Sequence, residues 1–488
     1  MPSRLLPWRT IGIAAAAALA SCAVGPNFHQ PNPPDASGYL HPSSDIAPVR
    51  PEARDVQNIS PGAELAGEWW QLFHSAQLDE VVRAAIAASP TLVAANATLA
   101  GAREEVTVAR GALLPGVNAT AGAQRAGAGA IREPGTGATA NLYSIGLSTS
   151  YNLDIFGGTR RAVEQQQALA DFQRIELAAA YLTLTGNLVD EVLIIASTRL
   201  QIATTEELIA SDRKNLALTQ RAFDVGTVPR SDVLTADTQL AADLTQLPSL
   251  HKQLDQAYDA LAVLAGRAPS EWQVRPFDIE QFTPPRDIPL SLPARLVRQR
   301  PDVLAAEMQL HAASAAIGVA IAQELPNISL SASITREALR AADLFHQFDT
   351  LWAVGGSLTQ PLFKGGALRA QVRAARDTFR AEAATYQAVV LEALGQVADD
   401  LWALQYDAQT LTVDRHSMDV AFESLKLQQQ SYSVGTTTVL NLIAAERTYA
   451  QARLSYVNSR VQQLTDSASL LTALGGGWWN DKIEVSAQ

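Results

Sequence analysis

The sequence predicts a mainly helical protein that also carries membrane-type β-strands. Three observations lead there: the chain is written twice, each copy holds a very long proline-free run, and each holds two strand-length segments alternating with period two.

The repeat sets the plan. Phe223-Asp-Val-Gly226-Thr227 matches Tyr432-Ser-Val-Gly435-Thr436 at an offset of 209, which also pairs Gly186 with Gly395, Asp190 with Asp399 and Asp237 with Glu446. Pro90 pairs with Pro301, and Leu114-Pro115 with Leu325-Pro326, at an offset of 211. Phe156-Gly-Gly158 matches Phe363-Lys-Gly-Gly366. Small changes of offset are what a duplicated segment shows after loop insertions. We therefore divide the chain into a signal peptide (1–21), an extended N-terminal segment (22–65), two repeats (66–285 and 286–480) and a tail (481–488).

Each copy opens with a helical run, Thr91–Ala112 or Asp302–Glu324, that ends at Leu-Pro. Two strand-like segments and a Gly-Gly turn follow, and then the long helix. Thr159–Val225 contains no proline and one glycine, Gly186; Gly366–Val434 has only Gly395 in its interior. At about 1.5 Å per residue each such helix reaches roughly 100 Å. Leu188, Val192, Ile195 and Thr198–Ile202 recur at helical spacing, so these helices pack on neighbours. After Val-Gly-Thr each copy returns through a second helix, Ser231–Leu264 or Val439–Leu474, the first expected to kink at Pro248.

The strands alternate cleanly. Tyr143, Ile145, Leu147, Tyr151, Leu153 and Ile155 interleave with Ser144, Gly146, Ser148, Ser150, Asn152 and Asp154. In the second copy Ile328, Leu330, Ala332 and Ile334 interleave with serines and Thr335, and Trp352, Val354 and Leu358 with small residues. The first strand, around Val117–Gln124, is alanine-rich and weakest in pattern. An apolar face opposite a small polar one suits a barrel with a wet interior. An ordinary half-buried antiparallel sheet shows the same alternation, and the flanking Tyr143, Tyr151, Trp352 and Phe363 do not separate the two. Closure does. Four strands cannot close a barrel, and an open edge is not tolerated in lipid. Membrane-spanning strands therefore require several chains to pool them, and three chains give twelve.

Composition excludes other classes. With 488 residues, 37 basic and 49 acidic, the net charge is −12 and the sequence pI near 5.1, which argues against a nucleic-acid partner. Hydrophobic residues make up 47% and charged ones 18%, too apolar a balance for a disordered chain. The seven histidines are scattered, without His-Glu-x-x-His, a Cys/His cluster or Gly-x-Ser-x-Gly. No cofactor, metal site or enzyme activity is expected. Gly127-Ala-Gly129 and Gly135-Thr-Gly137 read as an exposed hairpin loop between strands. Asp190-Glu191 and Asp399-Asp400 are adjacent on helices and point in different directions, so they read as solvated or lumen-lining charge.

The N-terminus reads as a secretion signal: Arg4 and Arg9, an apolar stretch Ile11–Leu19, and then Leu19-Ala20-Ser21 before Cys22. Leu-Ala-Ser-Cys resembles a lipoprotein box, in which the thiol of Cys22 is acylated. Cys22 is the only cysteine, so no disulfide competes for it. Ala23 follows rather than the aspartate of inner-membrane retention, which favours the outer membrane. Prolines from Pro26 to Pro61 predict an extended segment lying along a surface.

The whole order resembles the TolC/OprM-like outer membrane factors, in particular the lipoprotein, NodT-type branch working with resistance–nodulation–division pumps. The matching motifs are Cys22-Ala-Val-Gly-Pro-Asn-Phe28, Leu153-Asp-Ile-Phe-Gly157 and Arg300-Pro301-Asp302-Val303. They continue with Leu325-Pro326-Asn327-Ile328-Ser329-Leu330, Tyr432-Ser-Val-Gly435-Thr436 and Leu474-Gly-Gly-Gly-Trp478. The resemblance implies a TolC-like homotrimer, with a shared twelve-stranded outer-membrane β-barrel continuing into a periplasmic α-helical barrel. Small molecules pass through after delivery by an inner-membrane resistance–nodulation–division pump and a periplasmic membrane-fusion adaptor.

It also implies roles at the far tip. The turns Val225-Gly226-Thr227 and Val434-Gly435-Thr436 are where such proteins meet the adaptor. The periplasmic gate maps to Tyr432, Leu440 and Arg447, while Asn441 and Ala444 stand where relatives carry constriction aspartates. Asp232, Asp237 and Glu446 lie nearby in the sequence and read equally as partners holding Arg447 in a closed tip or as solvated surface charge. A type I protein-secretion duct shares this fold; the lipoprotein box and the Gly-Gly-Gly-Trp-Trp ending favour efflux. A pore-less lipoprotein scaffold is disfavoured by the polar strand faces.

Overall fold

The computed structural model describes residues 23–32, 34, 38–40, 57–127, 139–346 and 349–480. The expected signal peptide, Cys22, most of the proline-rich segment, the hairpin loop around Gly135 and the tail 481–488 lie outside the described residues. In chain order the elements are β1 (Asn58–Pro61), α1 (Ala76–Ala88), α2 (Pro90–Gly111), β2 (Gly116–Gly127), β3 (Thr139–Leu153), α3 (Gly158–Asp224) and α4 (Arg230–Leu264). There follow β4 (Asp287–Leu290), the short α5 (Pro293–Leu296), α6 (Pro301–Ala322), β5 (Asn327–Ala338), β6 (Asp349–Thr359), α7 (Ala367–Ser433) and α8 (Val439–Ala473). The helix and strand bounds fall close to those expected. One difference is at Ile155: β3 stops at Leu153 because Asp154 turns to cap α3, accepting from the Thr159 and Arg160 amides at 2.8 and 3.0 Å. Pro248 lies inside α4, which continues on both sides of it.

The chain forms two compact units, and neither is one copy of the repeat. The first unit holds residues 98–174 and 305–387 with the N-terminal stretch to Pro31. Its centre is a four-stranded antiparallel sheet in the order β2-β3-β5-β6. Register puts Ala119, Leu147, Ile334 and Trp352 in one line across the sheet, with Asn118, Ser148, Ser333 and Ala353 in the next. Because side chains alternate with period two, that register collects the apolar residues of all four strands on one face and the small polar ones on the other. Large apolar side chains on that face are open: Leu147 is 53% exposed, Ile334 50% and Trp352 75%. β2 and β6 are the edges, each hydrogen-bonded on one side only.

Beside the sheet, the residues after Cys22 are held firmly. The Val24 amide donates to the Phe156 carbonyl (2.9 Å), and buried Arg161 of α3 donates to the Val24 carbonyl (3.1 Å) and to Asn27 Oδ1 (2.7 Å). Phe28 stacks on His311 of α6 with ring centroids 4.3 Å apart, and His311 Nε2 lies 3.1 Å from Glu164. The Ala-Val-Gly-Pro-Asn-Phe motif thus fastens the N-terminal stretch to α3 and α6.

The second unit holds residues 32–97, 175–304 and 388–488. Trp69, Trp70, Phe73, Phe277 and Phe282 are fully buried and anchor its core beside the parallel pair β1·β4. Leu188, Val192 and Ile195 of α3 are fully buried too. By length and composition α3 could cross a membrane, and 44% of its most apolar window is buried within this chain. Buried Arg300 gathers three elements: it donates to Asp302 (2.7 Å), to Gln396 Oε1 of α7 (3.0 Å) and to the Ala473 carbonyl that ends α8 (2.9 Å). Trp478 Nε1 closes the same corner by donating to the Gln299 carbonyl at 2.8 Å. These contacts explain the Arg-Pro-Asp and Gly-Gly-Gly-Trp motifs as one structural joint.

Candidate functional site

The second unit carries both turns that the sequence marks as a tip, and they share one geometry. Gly226 has φ +78° and Gly435 φ +74°, the left-handed region that favours glycine. At each turn the threonine amide bonds back six residues inclusive, Thr227 to the Ala222 carbonyl and Thr436 to Ser431, both at 2.9 Å. The glycine amide bonds to the carbonyl of Phe223 or Tyr432 at 2.8 or 3.1 Å. This is the paired hydrogen bonding of a Schellman cap, which satisfies the last carbonyls of α3 and α7. Each threonine hydroxyl adds a bond to the same carbonyl, at 2.8 and 3.0 Å. With their backbone satisfied, Val225 and Val434 stand 75% and 72% exposed at the turns.

The expected gate residues follow on α7 and α8. Tyr432 and Leu440 are part-exposed, on the last turn of α7 and the first of α8. Asn441 is tied locally: its amide donates to the Thr438 hydroxyl that caps α8 (3.3 Å) and its Nδ2 to Thr437 Oγ1 (3.1 Å). Ala444 is exposed.

Arg447 corrects the sequence expectation. Its partners are neither Asp232, Asp237 nor Glu446. Asp232 accepts from its neighbour Ser231, Asp237 is exposed, and Glu446 accepts from Ser211 of α3 at 2.8 Å. Arg447 instead donates to Asp243 of α4 (2.7 Å) and Asp212 of α3 (3.1 Å). The two carboxylates are 3% and 4% exposed. Gln239, with its amide oxygen turned to the guanidinium, accepts at 3.1 and 2.6 Å. One cation thus joins three helices drawn from both copies of the repeat.

The electrostatics are unequal. Burial, then the hydrogen bond with Asp243, pushes the Asp212 carboxyl up to about 6 despite the pull of Arg447. Burial is the largest single influence on Asp243 and works against its carboxylate, but the hydrogen bonds from Arg447 and Asp212 and the charge of Arg447 together hold it below the usual range. The Asp243 hydrogen bond in turn raises Arg447. A single guanidinium closest to Asp243 neutralises that carboxylate fully and Asp212 only in part.

Sequence reasoning missed Asp212 and Asp243 because it looked for partners near Arg447 and near the turn. A signal existed: at the offset of 209 these two face Ala421 and Ala452, and Arg447 faces Thr238. Of the two readings of Asp190 and Asp400, solvated or lumen-lining, full solvation does not hold in this chain. Both are part-buried, and burial pushes each up to about 6. Among the described residues no cluster of three or more metal-ligating side chains occurs.

A sheet with one apolar and one polar face, long paired helices and capped hairpin turns are the parts of an outer-membrane channel, and the comparisons agree. The outer membrane efflux protein family model matches residues 81–267 and 292–476, and the chain belongs to that family. It is 30% identical over 458 residues, 91% of this chain and 93% of the other, to the pyoverdine export outer membrane protein OpmQ of Pseudomonas aeruginosa PAO1. It is 28% identical to nodulation protein T of Rhizobium leguminosarum bv. viciae, over 95% of this chain and 92% of that protein. Among solved structures, the outer-membrane channel OprN superposes with TM-score 0.82 at 26% identity, covering 94% of this chain and all of that one. The open-state MtrE channel of Neisseria gonorrhoeae gives TM-score 0.81 over 94% and 99% of the two chains, at 23% identity, a likeness of fold alone. The fold is TolC-like, and the chain is a transport protein of the outer membrane.

Proposed function

We propose that this chain is one subunit of a homotrimeric duct that exports small molecules from the periplasm through the outer membrane, working with a periplasmic membrane-fusion adaptor and an inner-membrane resistance–nodulation–division pump. The observation that carries the reading is the sheet β2-β3-β5-β6, two-faced and open at both edges. In lipid those edges must be paired. The strands alternate in direction, so β6 of one copy meets β2 of the next antiparallel, and three copies close a barrel with its polar face inward. The helices favour the same assembly. Tyr406, Val413, Val420 and Leu427 recur every seven residues on α7, with Val434 in step just past its end, and all five are exposed in the single chain. Such a stripe suits lateral packing on a helix of another copy.

In this reading the repeats 66–285 and 286–480 each supply half of the strands and one helical hairpin. The capped turns Val225–Thr227 and Val434–Thr436 are the adaptor contact, because Val225 and Val434 stand exposed beside glycines whose caps fix the backbone. Arg447 is the latch of the periplasmic gate. Held by Asp212 and Asp243, it fastens the hairpin α7–α8 to the hairpin α3–α4. Releasing it frees one hairpin from the other, with Tyr432 and Leu440 adding apolar closure. Relatives are described as exporting pyoverdine and toluene; the cargo here is taken to be likewise small, with selection left to the pump.

Cys22 carries the lipid. Val24, two residues on, is held beside the foot of β3 by the Phe156 carbonyl and Arg161. Single-channel recording in planar bilayers tests the duct: steady conductance is expected, and membranes holding the inserted protein without conductance would overturn it.

A further inference from the structure

We infer that Asp407 of α7 and Asp466 of α8 share one proton, making the seam between these helices a joint that loosens when that proton is lost.

The seam carries acids at a regular spacing. Asp400, Asp407 and Asp414 follow one another at intervals of seven on α7, which places them on one face, two turns apart. The flanking pair each meet a hydroxyl of α8. Ser469 Oγ donates to Asp400 at 2.9 Å, and Ser459 Oγ donates to Asp414. Between them the pattern breaks: seven residues back along α7 from Asp414 and seven on along α8 from Ser459, the antiparallel register brings Asp407 opposite Asp466, a carboxyl in place of a hydroxyl. Asp407 Oδ2 is buried without a donor from any described neighbour. One side of Asp466 is occupied, its Oδ1 accepting from Gln462 Nε2 at 2.9 Å.

Two carboxylates are acceptors only, so they can hydrogen-bond only if one of them holds a proton. Fully ionised, the pair would be like charges in contact, with a buried oxygen left unsatisfied. With one proton, Asp407 donates to Asp466 and both conditions are met. The surroundings favour this. Burial, then the hydrogen bond and charge of Asp466, pushes Asp407 up to about 7. Among the charged groups on the packed elements, Asp400 and Asp414 lie along α7, Arg460 lies on α8, and Arg300, ahead of α6, acts on Asp400. Asp466 is the one charged group that acts on Asp407.

The sign follows from linkage. The folded chain binds this proton more tightly than the unfolded one, whose Asp407 has the ordinary value of 3.8. The contribution to stability is therefore complete below that value and is lost as pH rises through about 7. The joint is tight in mild acid and loosens on the alkaline side of neutrality. This inference does not depend on the export reading, because donor, acceptor and burial all belong to one helix pair.

The test uses the full chain in detergent micelles and follows the infrared absorption of protonated carboxyls between about pH 6 and about pH 8. Wild type should lose about one protonated carboxyl per chain near neutrality, beyond the contributions of Asp190, Asp212 and Asp400, which lie at about 6 and are common to wild type and variants. The shared proton titrates as a property of the pair. Asp407→Asn and Asp466→Asn, both near-isosteric, should each abolish that step while leaving the lower-lying carboxyls unchanged. Amide hydrogen exchange across 400–414 and 459–469, corrected for its intrinsic pH dependence, should quicken on deprotonation in wild type only. Persistence of the neutral-pH step in either variant, or its absence in wild type, overturns the proposal.

Discussion

Arg447 Nη1 of α8 lies 2.7 Å from Asp243 Oδ2 of α4, and the carboxylate it meets is 3% exposed. Had Arg447 met the acids near the turn, an exposed pair would be worth about 1 kcal/mol or less. Replacing it here leaves two buried carboxylates with no cation, at a cost of about 3 kcal/mol. Arg447→Ala should therefore destabilise the hairpin contact and raise resting single-channel conductance. Unchanged conductance would leave closure to the packing of Leu440 and its neighbours.

The same cluster predicts a pH effect. Asp212 is raised to about 6, so its contribution to stability is complete at low pH and is lost as pH rises through that value. Asp243 is lowered, so its contribution is present above the ordinary carboxylate range and fails only in strong acid. Asp212→Asn should therefore raise the melting temperature near neutrality and flatten its dependence on pH across the range below about 6. Asp243→Asn should lower melting temperature at neutrality. Thermal unfolding of both variants at a series of pH values checks the two signs.

At the turns, Gly226 and Gly435 occupy left-handed backbone at φ +78° and +74°. Alanine at either position should cost about 1 kcal/mol. If the turns are the adaptor contact, Gly435→Ala should also weaken capture of the adaptor hairpin. Loss of stability with undiminished capture would place the contact elsewhere.

If Asn441 and Ala444 line the proposed gate, they supply no charge there. A ring of aspartates concentrates cations in a narrow, low-dielectric passage. This duct should resist block by multivalent cations from the periplasmic side, and Ala444→Asp should increase both block and cation preference. Identical block in that variant would show that position 444 does not line the passage.

Acylation of Cys22 predicts a mature chain heavier than Cys22–Gln488 by its lipid. Intact mass spectrometry decides this, and Cys22→Ser should remove the increment.

Most of this architecture was legible because it rests on periodicity. α3 and α7 are long runs without proline, and the strands alternate strictly, so local pattern and final fold agree. The repeat made the pairing of Val225–Thr227 with Val434–Thr436 plain before any geometry was known. What escaped was tertiary. Asp212, Asp243 and Arg447 lie on three helices and are joined only when these pack, and nothing near Arg447 in sequence names its partners. Asp407 and Asp466 are of the same kind: each alone resembles an ordinary helical surface acid. The interleaving of both repeats in each unit was likewise hidden, since β3 pairs with β5 across the boundary between copies.

In the proposed duct the open sheet edges are closed by other copies of the chain. Native mass spectrometry of the detergent-solubilised, conducting protein tests this closure most directly. Three chains per particle is the predicted result. A conducting particle of a single chain would contradict the account, because β2 and β6 would then face lipid unpaired.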